Sequence, residues 1–582
     1  MKKGLVFLLI ALGICCFMSS YLSAADIYVD NGLAADITDG SYSIINRDNG
    51  GSDGNAYRTI QLGVNVMSAG DTLYIRGGTY RGAGNRQIDI HSKDDGSAEN
   101  KYTIKSYPGE WAILDGQHSM TGNLQCIIYS LNHTVKYWVF ENMEITGGGP
   151  FTEPTSDEHG SGILLDSGTN CQFRYLYIHD NYGDTHPGAA AGLQLQNESG
   201  VAPHENIIEY CYFKCNGNPF GDHNTANANI AIYSDYKYSN TVDTSTCMHN
   251  NIIQYNLIDG SCNYGFIDVG VMNKGFQRLT GYRYGETENS NDNQPNNFSY
   301  RNYGDKIHHN IIKNHCMGMR ADQDYTQFFN NIVWLSNNGK SAENTCAWES
   351  RDSCQENRGS YYPCVYNNTI YADLTSSLRF FVLYTNYWDC SVHGNSSETD
   401  YVFAVNNLIS HDNSSTFSAI YVGPDKYHAG VNCDAPKPIN MDHLNLSRNF
   451  YYSCTGTNLH DIGWGNKYTE LEIEATAAAD NVFVKSTPSP FLGSVEPNKY
   501  KTFGSYILQA APEKTLADGG LGGSHPYLSG TTIPSYIGAT NPNDNVWVEG
   551  VLGLNVAYMK NATGDPAWIE GVPPSVPPSF GY

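Results

Sequence analysis

The chain has 582 residues, a formal net charge of −25 and a pI near 5.0, which argues against nucleic acid or an anionic membrane as its main partner. Charged residues make up only 16%, while 43 Tyr and 58 Gly accompany abundant Asn. That mixture suits sugar binding by hydrogen bonds and ring stacking, and equally suits the strands and turns of an all-β chain.

At the start of the chain, Lys2 and Lys3 precede the apolar run from Leu5 to Met18, and Ser23-Ala24-Ala25 supplies the small residues that a signal peptidase requires. Residues 1–25 are therefore predicted to be a signal peptide, cleaved near Ala24 or Ala25. The mature chain is expected to be secreted or periplasmic, monomeric and free of stable membrane insertion. Two of the 15 Cys lie in that leader, which leaves an odd number. Export permits disulfides. Cys211/Cys215 and Cys346/Cys354/Cys364 are the local candidates.

From residue 140 onward one motif returns. Its copies are Phe140-Glu-Asn-Met-Glu-Ile145, Phe173-Arg-Tyr-Leu-Tyr-Ile178, Ile208-Glu-Tyr-Cys-Tyr-Phe213, Ile253-Gln-Tyr-Asn-Leu-Ile258, Ile307-His-His-Asn-Ile-Ile312, Phe328-Phe-Asn-Asn-Ile-Val333, Val365-Tyr-Asn-Asn-Thr-Ile370 and Ala404-Val-Asn-Asn-Leu-Ile409. Leu446-Ser-Arg-Asn-Phe-Tyr451 is a fainter ninth. Both ends are apolar, and Asn holds the fourth position in the later copies. An apolar period near two makes this a pair of short strands and not a helical repeat. Such a unit buries its apolar face only by stacking on its neighbours. Asn side chains stacked at one bend are predicted to hydrogen-bond along the stack.

Most copies follow a further short strand, usually led by Gly: Gly162-Ile-Leu-Leu-Asp166, Gly192-Leu-Gln-Leu-Gln196, Asn229-Ile-Ala-Ile-Tyr233 and Gly318-Met-Arg-Ala-Asp322. Three strands per coil define an all-β, parallel β-helix. The crossover preference makes it right-handed.

Residues 26–117 resemble the opening segment of secreted β-helix polysaccharide lyases and glycoside hydrolases of the pectin lyase-like fold. The resemblance is carried by Asp26-Ile-Tyr-Val-Asp30, Tyr57-Arg-Thr-Ile-Gln61, Ala69-Gly-Asp-Thr-Leu-Tyr-Ile-Arg-Gly-Gly-Thr-Tyr80, Tyr102-Thr-Ile-Lys-Ser-Tyr-Pro-Gly109 and Leu114-Asp-Gly116. It implies a short N-terminal capping helix near Thr59–Ser68 and a β-helix over 26–455. The catalytic patterns of pectate lyases, chondroitinase B-type lyases and polygalacturonases are not found. Residues 456–582 are poorer in repeats and richer in Pro. They are expected to form irregular late coils, a C-terminal cap around Ile533-Pro-Ser-Tyr-Ile-Gly538 and an extended tail.

Strand alternation turns the second and fourth residues of the Gly-led strand inward and leaves the third and fifth outside. For the coil between Tyr233 and Asp322 the segment chosen is Gly265-Phe-Ile-Asp-Val269. A one-residue slip keeps Asp268 out of the core, where an unpaired carboxylate is costly. The outer column is then Asp166, Gln196, Tyr233, Asp268 and Asp322, with Arg320 beside it. Adjacent rungs are roughly 4.8 Å apart, so Asp268 and Asp322 are expected to share a calcium ion, with Asp324 as a further ligand, or to share a proton. A pair of solvated Asp with Arg320 as counter-ion is the plainer alternative.

The loop that follows, from about Met272 to Asp305, holds Lys274, Arg278, Tyr282 and Arg283, which suit a uronate or sulfate group. Asp222-His223-Asn224 adds a candidate base. The leading expectation is a lyase that cleaves an extracellular uronate-containing polysaccharide by β-elimination, with Lys274, Arg320 or His223 as base and Tyr233, Gln196, Arg278, Tyr282 and Arg283 binding substrate. A glycoside hydrolase using Asp268 and Asp322 is the alternative. A non-catalytic sugar-binding or adhesive solenoid is the third reading.

Overall fold

The computed structural model describes residues 24–150 (except 94 and 123), 160–183, 191–196, 201–219, 228–234, 248–275 (except 264 and 266), 304–336 (except 324), 346–350, 362–372, 378–384, 402–411, 417–423, 445–452, 460–462, 467–468, 482–484, 523–524, 528 and 531–533. Nearly all of the predicted signal peptide, His223, Arg278, Tyr282, Arg283, Asp324 and Cys354 lie outside the described residues.

The chain winds into a parallel β-helix. In each coil, the strand before the Asn bend and the strand after it stack on their counterparts in the neighbouring coils, and together they form a 22-stranded sheet. The Gly-led strands form a 12-stranded sheet, to which each later coil adds one strand. Pairing from coil to coil is parallel, for example Ile253 with Ile307 and Ile258 with Ile312, and the 12-stranded sheet ends in one antiparallel strand, Lys467–Tyr468, on His460–Ile462. Gly leads the third strand because the turn into it is crowded. A Cβ on Gly318 would lie 2.5 Å from the Ala347 carbonyl, and one on Gly270 would lie 2.7 Å from the Gly318 carbonyl.

Inside, the motif's apolar ends fill the lumen. Ile145, Ile178, Phe213, Ile258, Ile312 and Val333 are fully buried along one side, and Phe140 stacks on Phe173. The predicted capping helix is Ile60–Val66, with Thr59 as its N-cap. It closes the first coil by burying Ile60 and Val64.

The Asn bend forms the predicted ladder. Nδ2 of Asn256, Asn310, Asn331, Asn368 and Asn407 donates to Oδ1 of the next rung, ending at Asn449, at 3.0–3.1 Å. Each also donates to a backbone carbonyl of the preceding coil at 2.9 Å. The residue before each rung is left-handed, from Tyr210 to Arg448, with φ between 52° and 57°. In the early coils Met143, Leu176 and Cys211 occupy this place, and the ladder begins where the Cys211 amide donates to Asn256.

Two shorter ladders run along the other bends. One is Asn206, Asn251 and Asp305. The other is Asn181, Asn216 and Asn229, which meets His315. The first of these was legible two residues upstream of each motif copy, where Asn206, Asn251 and Asp305 recur in phase.

The disulfide pairing differs from expectation. Cys215 bonds to Cys262, across the bend of the following coil, while Cys211 and Cys364 are buried free thiols. Cys211 faces the lumen and stacks in the ladder position, so it never points at Cys215. In the late region, Val482–Val484 still pairs with the coil sheet. Ile533 packs against Cys364, Tyr366, Phe403 and Val405, on the outer side of the strand before the Asn bend.

Candidate active site

The register of the Gly-led sheet fixes which residues share a rung. Leu165 pairs with Leu195, Leu195 with Ile232, Ile232 with Asn273 and Asn273 with Ala321 on the inward side. One residue further on, the outer column reads Asp166, Gln196, Tyr233, Lys274 and Asp322. Four of the five expected members are therefore in place, and Lys274 stands where Asp268 was expected.

The Gly-led segment chosen is five residues out of phase, and with the one-residue slip Asp268 is six residues from the column position that Lys274 fills. The copy in phase is Gly270-Val-Met-Asn-Lys274, within the strand Val269–Gly275. Its inward Asn273 disguised it, because a lumen position was expected to be apolar. Asp268 precedes that strand, and its carbonyl accepts the Met317 amide at 2.9 Å, so it lies opposite Cys316. Six strand residues then separate its level from Asp322, or about 20 Å. The two carboxylates are not neighbours and do not fit a shared calcium ion, a shared proton or the acid pair of a glycosidase, which needs about 5–9.5 Å. Asp268 is buried, and its Oδ1 accepts from the Cys316 thiol at 3.5 Å. Among the described residues no group of three His, Cys, Asp or Glu is placed to hold a metal ion.

The start of the column is engaged in internal hydrogen bonds. Asp166 accepts the Asn132 amide at 2.8 Å, Ser161 donates to Gln194, and Gln194 donates to Gln196 at 2.7 Å. Gln196 is fully buried. The next column in from this one holds Leu164, Gln194, Ala231, Met272, Arg320 and Glu349. Ala231 and Met272 join Val269, Met317 and Cys346 in an apolar cluster separate from the lumen. Arg320 is 2% exposed, on the rung after Met272. The charged positions Lys274, Asp322 and Arg320 thus fall together on two adjacent strands.

A second charged cluster escaped the sequence analysis. On the strand after the Asn bend, His179 contacts Glu144 at 3.2 Å and Asp180 at 2.7 Å. Burial opposes a charge on His179, but its hydrogen bonds to Asp180 and Glu144 outweigh that and hold its pKa above the usual value. Tyr182 donates to Asp180 and Trp111 to Glu144. These charges are spent on one another, which marks a structural network. The only sign of it in the sequence is that Glu144 and His179 lie 35 residues apart, one coil.

Comparison with known proteins agrees with this architecture. Residues 44–223 match the family model described as Pel9A-like, right handed beta helix region. The pectate lyase PEL9 of Emericella nidulans is 29% identical over 196 residues, which cover 32% of this chain and 38% of that one. The chain thus spans little more than a third of this relative's length, and the family match ends before Tyr233. Among solved structures, an alginate lyase from Paenibacillus shares 15% identity over 62% of this chain and 94% of its own, with a TM-score of 0.37. The surface adhesin PfbA of Streptococcus pneumoniae shares 11% over 74% and 88%, with a TM-score of 0.43. The pectate lyase Pel9A shares 12% over 90% and 98%, with a TM-score of 0.35. Scores this low carry no weight for activity. The coil topology and the matched segment together make this chain a right-handed parallel β-helix of the pectin lyase-like superfamily.

Proposed function

We propose that this chain cleaves an extracellular uronate-containing polysaccharide by β-elimination on the outer face of the Gly-led sheet. The observation that carries the reading is the register of Lys274 between Tyr233 and Asp322. Lys274 is the base. It takes the proton on the carbon beside the uronate carboxylate. The electron pair left behind forms the double bond, and the glycosidic oxygen leaves from the next carbon. An Arg side chain keeps its proton under all ordinary conditions, so of Lys274 and Arg320 the lysine is the one able to accept a proton.

Asp322 pairs with Lys274 in register on the next strand, and Arg320 stands two residues earlier on that strand, so an acidic and a basic position lie beside the proposed base. Tyr233, one rung earlier, is the sugar-binding candidate of this column. Arg278 and Arg283 remain carboxylate-holding candidates from the sequence. The similarity to an enzyme named pectate lyase supports elimination over hydrolysis as the class of reaction. No step is assigned to calcium, because Asp268 and Asp322 do not fit one site.

The test is a panel of polyuronates scored for ultraviolet-absorbing unsaturated ends and for total reducing ends, with and without chelator. Elimination yields both in equal number. Reducing ends without the unsaturated product would establish hydrolysis, and binding without either product would make the chain an adhesive or sugar-binding solenoid. Loss of activity on chelation would add a cation, held by residues other than the Asp268–Asp322 pair.

A further inference from the structure

The lumen next to Lys274 holds a polar pair that the stacking of coils does not require. Along the inward column the residues are Leu165, Leu195, Ile232, Asn273 and Ala321, so Asn273 is an amide among aliphatic side chains. It is fully buried. Its Nδ2 donates to Oδ2 of Asp305 at 3.0 Å. Asp305 is equally buried and also accepts the Asn251 backbone amide at 2.7 Å and its side-chain Nδ2 at 3.2 Å. A buried amide and carboxylate are costly where aliphatic residues would serve, and departures of that kind concentrate near functional sites.

We propose that Asp305 is a positioning residue for Lys274: through the Asn273 amide it fixes the rung of the Gly-led strand that carries the base. This rests on the reading of Lys274 given above. The argument is one of donors and acceptors. An Asn rung accepts from the rung before it and donates onward, so a ladder of amides propagates. An ionised carboxylate has no donor. At Asp305 the chain of side-chain donors stops, because the carboxylate takes donors from Asn251, Asn273 and Gln323 and gives none; only its backbone amide carries on, to Oε1 of Gln323 at 3.3 Å. Asn273 then has one permitted orientation, with its NH2 toward Asp305. Its Oδ1 has no hydrogen-bond partner among the described residues, so nothing else there holds that orientation. A proton on Asp305 would turn an acceptor into a donor and release Asn273 to rotate. The protonation of Asp305 is thus read one peptide bond from Lys274.

Burial raises the Asp305 carboxyl to about 6, against the lowering effect of its hydrogen bonds to Asn251, Asn273 and Gln323. Those facing groups are all neutral. The charged and titratable positions next to those partners are Lys274, which follows Asn273, and Asp322, which precedes Gln323, with Lys306 and His308 on the strand that Asp305 leads into.

The experiment follows the Lys274 amine directly. The full-length protein is reductively methylated with carbon-13, and the Lys274 resonance is identified by its loss in Lys274→Arg. The wild-type resonance is expected to show an inflection near pH 6 that is absent in both Asp305→Asn and Asn273→Ala. On a polyuronate substrate, kcat of both variants should fall about tenfold with KM nearly unchanged, as misplacement of a base requires. Asn273→Ala leaves the Asn251–Asp305 contact in place and serves if Asp305→Asn does not fold. An inflection that persists in folded variants would overturn the proposal. A Lys274→Met enzyme with undiminished elimination would instead defeat the assignment of the base, while the resonance would still report whether Asp305 is coupled to residue 274.

Discussion

Two bends of this β-helix use the same hydrogen bond to different ends. At the Asn bend, six amides form one chain, in which each from Asn256 to Asn407 donates to the next rung and Asn449 ends the series. The coils between them differ in length, with rungs 54, 21, 37, 39 and 42 residues apart, yet the geometry repeats within 0.1 Å. At the bend before the motif, the ladder runs Asn206, Asn251, Asp305 and ends. A neutral rung with both a donor and an acceptor builds length. A charged rung with acceptors alone terminates the ladder and binds what lies beside it, here the strand of Lys274. The first bend is scaffold, and the second is where the scaffold gives up regularity next to the proposed chemistry.

The contrast can be broken at the scaffold first. Replacing Asn331 with Leu strips the acceptor from the Asn310 backbone amide and side chain and the donor from the Ile307 carbonyl. Buried groups left unpaired cost about 1–3 kcal/mol each, so a loss of about 4 kcal/mol is expected in chemical denaturation. Activity per folded molecule should not change.

At Asp305 the signature is pH and not size. The folded carboxyl titrates at about 6 and the ordinary value is 3.8. Between those values the folded chain holds a proton that the unfolded chain has lost. Its contribution to stability is therefore full below the unfolded value and is lost as pH rises through about 6. The loss amounts to about 3 kcal/mol. Denaturation across this range should show a falling slope in the wild type that Asp305→Asn flattens. An unchanged slope would mean that the carboxyl is not protonated in the folded lumen.

The smallest effect is expected at His179. Its folded pKa lies above 6.5, so the stability it adds is present below that value and is lost as pH rises through the folded one. His179→Gln should cost about 1–2 kcal/mol at about pH 6 and less at about pH 9. An equal cost at both would show that the ring is neutral in the fold and that the cluster with Glu144 and Asp180 is not an ion network.

The coil architecture was legible because its marks are local and repeated. The Asn of the fourth position, the apolar ends and the leading Gly each answer to one physical need, and the capping helix at Ile60–Val66 follows from the resemblance of the opening segment. The outer column was legible at Asp166, Gln196, Tyr233 and Asp322. It failed at one coil, where Asn273 put a polar residue on an inward position and Gly265 offered a more apolar alternative in the wrong phase. The disulfide was misread for a related reason. Cys211 and Cys215 are close in sequence, but one lies at a lumen rung and the other on the next bend. The Glu144–His179–Asp180 cluster was invisible because its members meet only when one coil lies on another. Spacing between coils is set by loop length, and loop length carries no pattern.

The central claim is that elimination runs on the outer face of the Gly-led sheet with Lys274 as base. It is tested most directly by the rate of unsaturated-end formation from a polyuronate in Lys274→Met, with folding checked by circular dichroism. The account predicts a loss of about 10²–10⁴-fold in kcat in a protein that still binds the polymer. A folded Lys274→Met enzyme that releases unsaturated ends at the wild-type rate would contradict it.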